Sequence, residues 1–227
     1  TLEFAMIRLF AALLLLGISC VVAVQSVFGQ QPKEAKPAVR KKVIEWGWDE
    51  PDTKFMRENI AKMEEAPFDG VVFHAMSGSG VNLSWEVWGN RKFEIAEFKQ
   101  AIEDLRGTKF QRFTDRFLRV NITPAHIDWF DDAAWANVAN NFGVAAHVAK
   151  KGRCKGFMFD TEQYEGVTEF DYREQKDKAK RSFADYQAKV RQRGREWMKA
   201  VNAQNPSPVI LLAFGYDICL WNAARPK

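Results

Sequence analysis

The sequence predicts an α/β fold, a parallel sheet sheathed by helices in the manner of a (β/α)8 barrel. Three observations carry this. Short apolar runs alternate with amphipathic helical stretches. No Gly-x-Gly-x-x-Gly follows the first strand, which argues against a dinucleotide-binding sheet. Each predicted strand also runs into polar and aromatic residues, which is how a barrel assembles a site at the C-terminal ends of its strands.

The elements follow in order. Residues 43–48 read as strand one. Asp52 or Thr53 caps a helix to Glu65, with Phe55, Ile60 and Met63 on its apolar side. Pro67 ends it, and residues 70–74 form strand two around Val71-Val72-Phe73. A long segment, 75–91, precedes a helix over 95–105, whose Ile95, Phe98, Ile102 and Leu105 recur at three- and four-residue spacing. Strand three spans 117–122, a helix 132–150, strand four 155–160, a long helix 171–203 and strand five 209–214. In the long helix Phe183, Tyr186, Val190, Trp197 and Val201 face inward, and Trp135 and Trp197 read as core. A (β/α)8 barrel needs eight strands and five are found, so the expectation is a barrel truncated to its first five βα units, inactive by itself and exposing unpaired edges.

The N-terminal region carries different information. Arg8 and an apolar run over 9–24, closing on Val27-Phe28-Gly29, match a secretory signal cleaved after Gly29, with Met6 the initiator and 1–5 a reading-frame overrun. Residues 30–42, with Pro32 and Pro37 and no periodicity, read as a flexible spacer before a domain over 43–227. This predicts an exported protein with no membrane span once the signal is removed. The net charge of +4 is scattered, and the basic stretch 173–195 is interleaved with acids, so no nucleic-acid partner is expected. Cys154 and Cys219 fall at opposite ends of neighbouring strands, too far apart for a disulfide, and are expected to be free thiols. No metal or other cofactor is called for.

The chemistry concentrates in Lys155–Tyr164. Gly156-Phe157-Met158-Phe159 is an apolar strand ending in Asp160 and Glu162, two residues apart and on one side of an extended chain. Paired carboxylates let one stay protonated and act as a general acid. A helix cap, with Asp160 or Thr161 ending the strand and Glu162 solvated, is the plainer alternative. The other strand ends supply Asp49 and Glu50; His74; Asn121, His126 and Asp128; and Tyr216 and Asp217. Trp46, Trp48, Trp85, Trp88, Trp129, Tyr164 and Tyr216 offer flat rings for the apolar faces of sugars. His74 and His126, with Asp160 and Glu162, could instead ligate a divalent ion in a metal-dependent hydrolase or isomerase, although no His-x-His or His-Glu-x-x-His occurs. Ser77-Gly78-Ser79-Gly80 matches neither a nucleophile elbow nor a P-loop and reads as a flexible loop over the site.

Gly156, Phe157, Phe159, Asp160 and Glu162 together resemble the strand-four signature of the chitinase-like family 18 glycoside hydrolases, a TIM-barrel family. Lys155 and Met158 stand where that signature has acidic or amide residues. The resemblance implies Glu162 as general acid and Asp160 as its modulator, in an enzyme acting on a poly- or oligosaccharide. A non-catalytic carbohydrate-binding barrel is the alternative that keeps the aromatics without a working acid. The second carboxyl, ~5 Å from the acid in retaining enzymes and ~6.5–9.5 Å in inverting ones, is expected from a later strand or from Asp160.

Overall fold

Strand and helix alternate along the chain, and the hydrogen-bond ladders join the strands in the order in which they are made. A computed structural model describes residues 41–124, 126–162 and 169–214. Its strands are β1 (Ile44–Glu45), β2 (Gly70–Phe73), β3 (Asp115–Asn121), β4 (Gly156–Asp160) and β5 (Val209–Ala213). They form one sheet, β1-β2-β3-β4-β5, with every pairing parallel. The sheet curls into a half-barrel. The helices are α1 (Thr53–Met63), the single turn α2 (Leu83–Glu86), α3 (Lys99–Gly107), α4 (Asp132–Lys151) and α5 (Phe183–Gln204).

Side-chain alternation divides the sheet into two faces. Val71, Phe73, Leu118, Val120, Phe157 and Phe159 point to the helix-covered side, into one core with Met56, Leu105, Trp135 and Phe142. Trp197 packs against that core, so Trp135 and Trp197 take the places expected of them. The concave side begins as a small apolar layer of Val72, Phe117, Met158 and Ala213, with Ile44 and Leu211 packed against it. Met158 is therefore a floor residue. The next positions toward the strand ends on this face are Arg119, Asn121 and Asp160, and the lining turns from apolar to charged.

Local signals set the helix starts. The Asp52 side chain accepts the Phe55 N–H at 2.7 Å and caps α1, and Asp131 accepts from Ala133 and Ala134 to cap α4. The long helix expected over 171–203 is instead two elements. Asp171 caps a 3-10 turn, Tyr172–Glu174, and a capping box between Ser182 and Asp185 starts α5 afresh. Phe183, as the first residue of α5, is exposed and meets Tyr172 edge-on, whereas Tyr186 and Val201 face inward as expected. Ile95 lies in a 3-10 turn (Ile95–Phe98) ahead of α3, and Ile95 and Phe55 are exposed rather than apolar-face residues. The first strand stops at Glu45, short of Trp48. The chain swings out through Trp46–Asp49 and returns to pair Asp52 with His74, beyond the end of β2.

Cys154 is a free, partly buried thiol whose pKa burial pushes up to about 12. Cys219 and residues 1–40, where the signal and most of the spacer are predicted, lie outside the described residues. Among the described residues, no helix is long and apolar enough to cross a membrane.

Backbone contact between β4 and β5 is close enough to exclude a side chain at Gly156, where a Cβ would sit 2.0 Å from the Val209 carbonyl oxygen. Gly156→Ala must push the two strands apart. It should cost about 1–3 kcal/mol, the usual range for overpacking, read as a lower denaturation midpoint in urea. Gly194→Ala, on open helix surface with nothing within 4 Å of an added Cβ, is the control that should not destabilise.

Candidate functional site

The concave face closes at its C-terminal end on a charge network built from β3, β4 and the loop after β1. Arg119, in the middle of β3, is buried, and its guanidinium reaches in two directions. Nη1 donates to Oε1 of Glu50 and Nη2 to Oδ2 of Asp160, each at 3.0 Å. The three side chains are 9 %, 5 % and 0 % exposed in the order Arg119, Glu50, Asp160. Trp46 adds a second donor to Glu50 Oε1, at 2.9 Å. Trp85, on α2, lies over the guanidinium, 4.9 Å from ring centroid to Cζ. The preceding residue anchors α2 here: the Ser84 hydroxyl donates to the Arg119 carbonyl at 2.8 Å.

Asp160 connects the network to Glu162. Its Oδ1 accepts the Glu162 N–H at 3.0 Å, which turns the chain at the end of β4 and leaves the Glu162 side chain exposed. On β3, Asn121 is the register partner of Asp160, on the same face and fully buried. Neither Oδ1 nor Nδ2 of Asn121 has a hydrogen-bond partner, and the Thr123 hydroxyl two residues on is also buried without one. Such atoms are costly unless something completes them.

The electrostatics follow from burial. Desolvation raises the pKa of Glu50 despite the opposing charge of Arg119 and the bond from Trp46, and the charge of Asp160 adds to the rise. His74 is partly buried, and desolvation lowers its pKa; Arg119 lowers it further, and Asp52 works the other way.

The predicted site residues separate into groups. Trp46, Trp85, Asn121, Asp160 and Glu162 meet around Arg119, with His74 next to them at the end of β2. Trp48 is 90 % exposed, and Asp49 is exposed beside it. Trp88 and Trp129 are core residues, a correction to their reading as sugar platforms. Trp88 packs on Trp135 at 5.0 Å and on Phe159 at 6.2 Å, and Trp129 stacks on Trp135 at 4.8 Å, so protein covers their rings. Their N–H groups end on Glu169, Trp88 on its carboxylate at 3.4 Å and Trp129 on its carbonyl at 3.0 Å. Asp128 is paired with Lys176 at 2.7 Å, and His126 is exposed on the same loop. Tyr164, Tyr216 and Asp217 lie outside the described residues. Among the described residues, no three or more His, Cys, Asp or Glu side chains are grouped to hold a metal ion.

Arg119 is the residue that sequence reasoning passed over, because Phe117–Ile122 reads as an apolar strand. The available signal was an Arg and an Asn two residues apart in that run, which alternation places on one face.

Comparison with protein-family models finds no match, and searches of curated proteins and of solved structures likewise find none. The class defined by the fold is a parallel α/β half-barrel with a charged, partly unsatisfied mouth.

Arg119→Met removes the cation between two buried carboxylates. It should cost about 3–5 kcal/mol, the usual penalty for breaking a buried pair. Asp160→Asn added to it should restore part of that loss, as measured by urea unfolding of the double variant beside both single ones.

Proposed function

We propose that this protein is an exported glycoside hydrolase of the (β/α)8-barrel class, acting on a poly- or oligosaccharide at the C-terminal mouth of its sheet. The observation that supports it best is the chain of contacts from Arg119 through Asp160 to the backbone of Glu162. It fixes a carboxylate-bearing turn at the end of β4, beside a buried amide with unused hydrogen-bonding capacity. The sequential parallel strands and the curl of the sheet support the barrel class. Export rests on the apolar N-terminal segment of the sequence.

In this reading Glu162 is the general acid. Its carboxyl stands at the open end of the face, where a leaving-group oxygen would arrive. Asp160, one pleat deeper, sets the position of Glu162 through its backbone N–H and is itself held by Arg119. Asn121 and Trp85 contact the sugar, the amide through ring hydroxyls and the indole through an apolar ring face.

Glu162→Gln in the complete protein keeps size and hydrogen bonding but cannot give up a proton. Turnover of an unactivated oligosaccharide should fall by roughly 10²–10⁴-fold, the usual worth of a positioned acid. Aryl glycosides with good leaving groups should lose far less. Equal turnover of the unactivated substrate by wild type and variant would remove Glu162 from this role. Sugar binding without turnover by the wild type would make the protein a carbohydrate-binding barrel.

A further inference from the structure

Two carboxylates, Glu50 and Asp160, are buried on the concave face against one guanidinium, that of Arg119. Buried charge is costly unless a counter-charge or a proton matches it. Among the described residues Arg119 bonds both carboxylates, and the bonds to their individual oxygens differ. Both oxygens of Asp160 accept: Oδ2 from Arg119 and Oδ1 from the Glu162 N–H. Glu50 is different. Trp46 Nε1 and Arg119 Nη1 both donate to its Oε1, and neither reaches Oε2.

We propose that Glu50 is the proton-carrying carboxyl of this face, with the hydrogen on Oε2, and that the neutral acid donates a hydrogen bond to a ligand hydroxyl at the mouth of the sheet. The groups facing Glu50 are consistent with this. Arg119 from β3 and Trp46 from its own segment occupy Oε1 as donors, and Asp160 from β4 adds a like charge. His74, at the end of β2 beside Asp52, is shifted toward its neutral form and adds no fixed cation. Burial raises the Glu50 carboxyl above its ordinary range, and this outweighs Arg119 and Trp46.

Asn121 sets the ligand chemistry. Its amide is buried on the same face, with an unused acceptor at Oδ1 and an unused donor at Nδ2. A carboxylic O–H and an amide donor and acceptor on one face complement the hydroxyls of a sugar, each of which both gives and takes a hydrogen bond. Binding then weakens as pH rises through the Glu50 titration, where a donor is replaced by a charge. The ligand half rests on the carbohydrate reading above. The proton half does not.

The two halves are tested separately. For the proton, the full chain is labelled with 13C at glutamate side-chain carboxyls and followed by NMR across pH. One resonance should titrate above the exposed glutamates, be absent from Glu50→Gln and move still higher in Trp46→Phe, which removes one donor from the carboxylate. Glu45 and Glu169 are also raised by burial, and neither should vanish with Glu50→Gln. Because the folded state binds this proton more tightly than the unfolded one, wild-type stability should fall as pH climbs from the ordinary carboxyl range through the Glu50 titration. Glu50→Gln should flatten that slope. A Glu50 resonance titrating among the exposed glutamates, or one unmoved in Trp46→Phe, overturns the assignment even if Glu50→Gln fails to fold. For the ligand, a panel of neutral oligosaccharides is titrated calorimetrically. Wild-type affinity should drop roughly tenfold, about the worth of one hydrogen bond, across the same pH interval, and Glu50→Gln should bind independently of pH. Binding that is equally independent of pH in the wild type overturns the donor role. No binding by the wild type at any pH, with Glu50 titrating high, overturns the carbohydrate reading and the donor role and leaves the proton on Glu50.

Discussion

The bidentate grip of Arg119 on Glu50 and Asp160 is the constraint on which the mouth of this sheet depends. It ties the loop after β1 to the ends of β3 and β4, elements separated by 69 and 41 residues along the chain. A guanidinium is suited to the task because it is planar, permanently charged and presents several donors in fixed directions. A hydrophobic substitute of similar volume would pack as well or better, since buried ion pairs seldom outperform apolar cores in stability. What the charged version fixes is direction. Asp160 is aimed, Asp160 turns the chain at Glu162, and Trp85 is held flat over the centre.

Away from this network the middle of the sheet is apolar on both faces. On the helix side, Val71, Phe73, Leu118, Val120, Phe157 and Phe159 join a continuous apolar core, and Trp88, Trp129 and Trp135 extend it past the strand ends. Glu169 closes that extension, receiving the indole N–H groups of Trp88 and Trp129 together with the Ile127 N–H. The two faces therefore hold their buried carboxylates for different purposes. Glu169 satisfies donors stranded in the core, whereas Glu50 and Asp160 leave an amide beside them unsatisfied.

Much of the architecture was legible because it is encoded locally. Alternation of apolar runs with helical periodicity gave five parallel strands, and Asp52, Pro67 and Asp131 mark helix ends by chemistry that acts within one turn. The break before α5 was equally readable in the Ser182–Asp185 capping box, but a periodic pattern running across it argued for one helix. The site was legible in part. Asp160, Glu162 and Asn121 stand out as polar residues ending apolar strands. Arg119 does not, since its role depends on partners from the loop after β1 and from β4. Trp88 and Trp129 misled for the converse reason: an indole after a strand end looks alike in sequence whether its ring meets a ligand or Trp135.

The indoles of Trp46 and Trp85 have an optical consequence. One bonds the Glu50 carboxylate and the other lies over its counter-ion, so any change in the charge of this cluster alters the local field on both rings. Trp88 bonds a different carboxylate, that of Glu169, so its response is separated from theirs by comparison with Trp46→Phe. The protein thus contains its own spectroscopic reporter of the charge state at the mouth of its sheet, readable by difference absorption in the indole band without any added label.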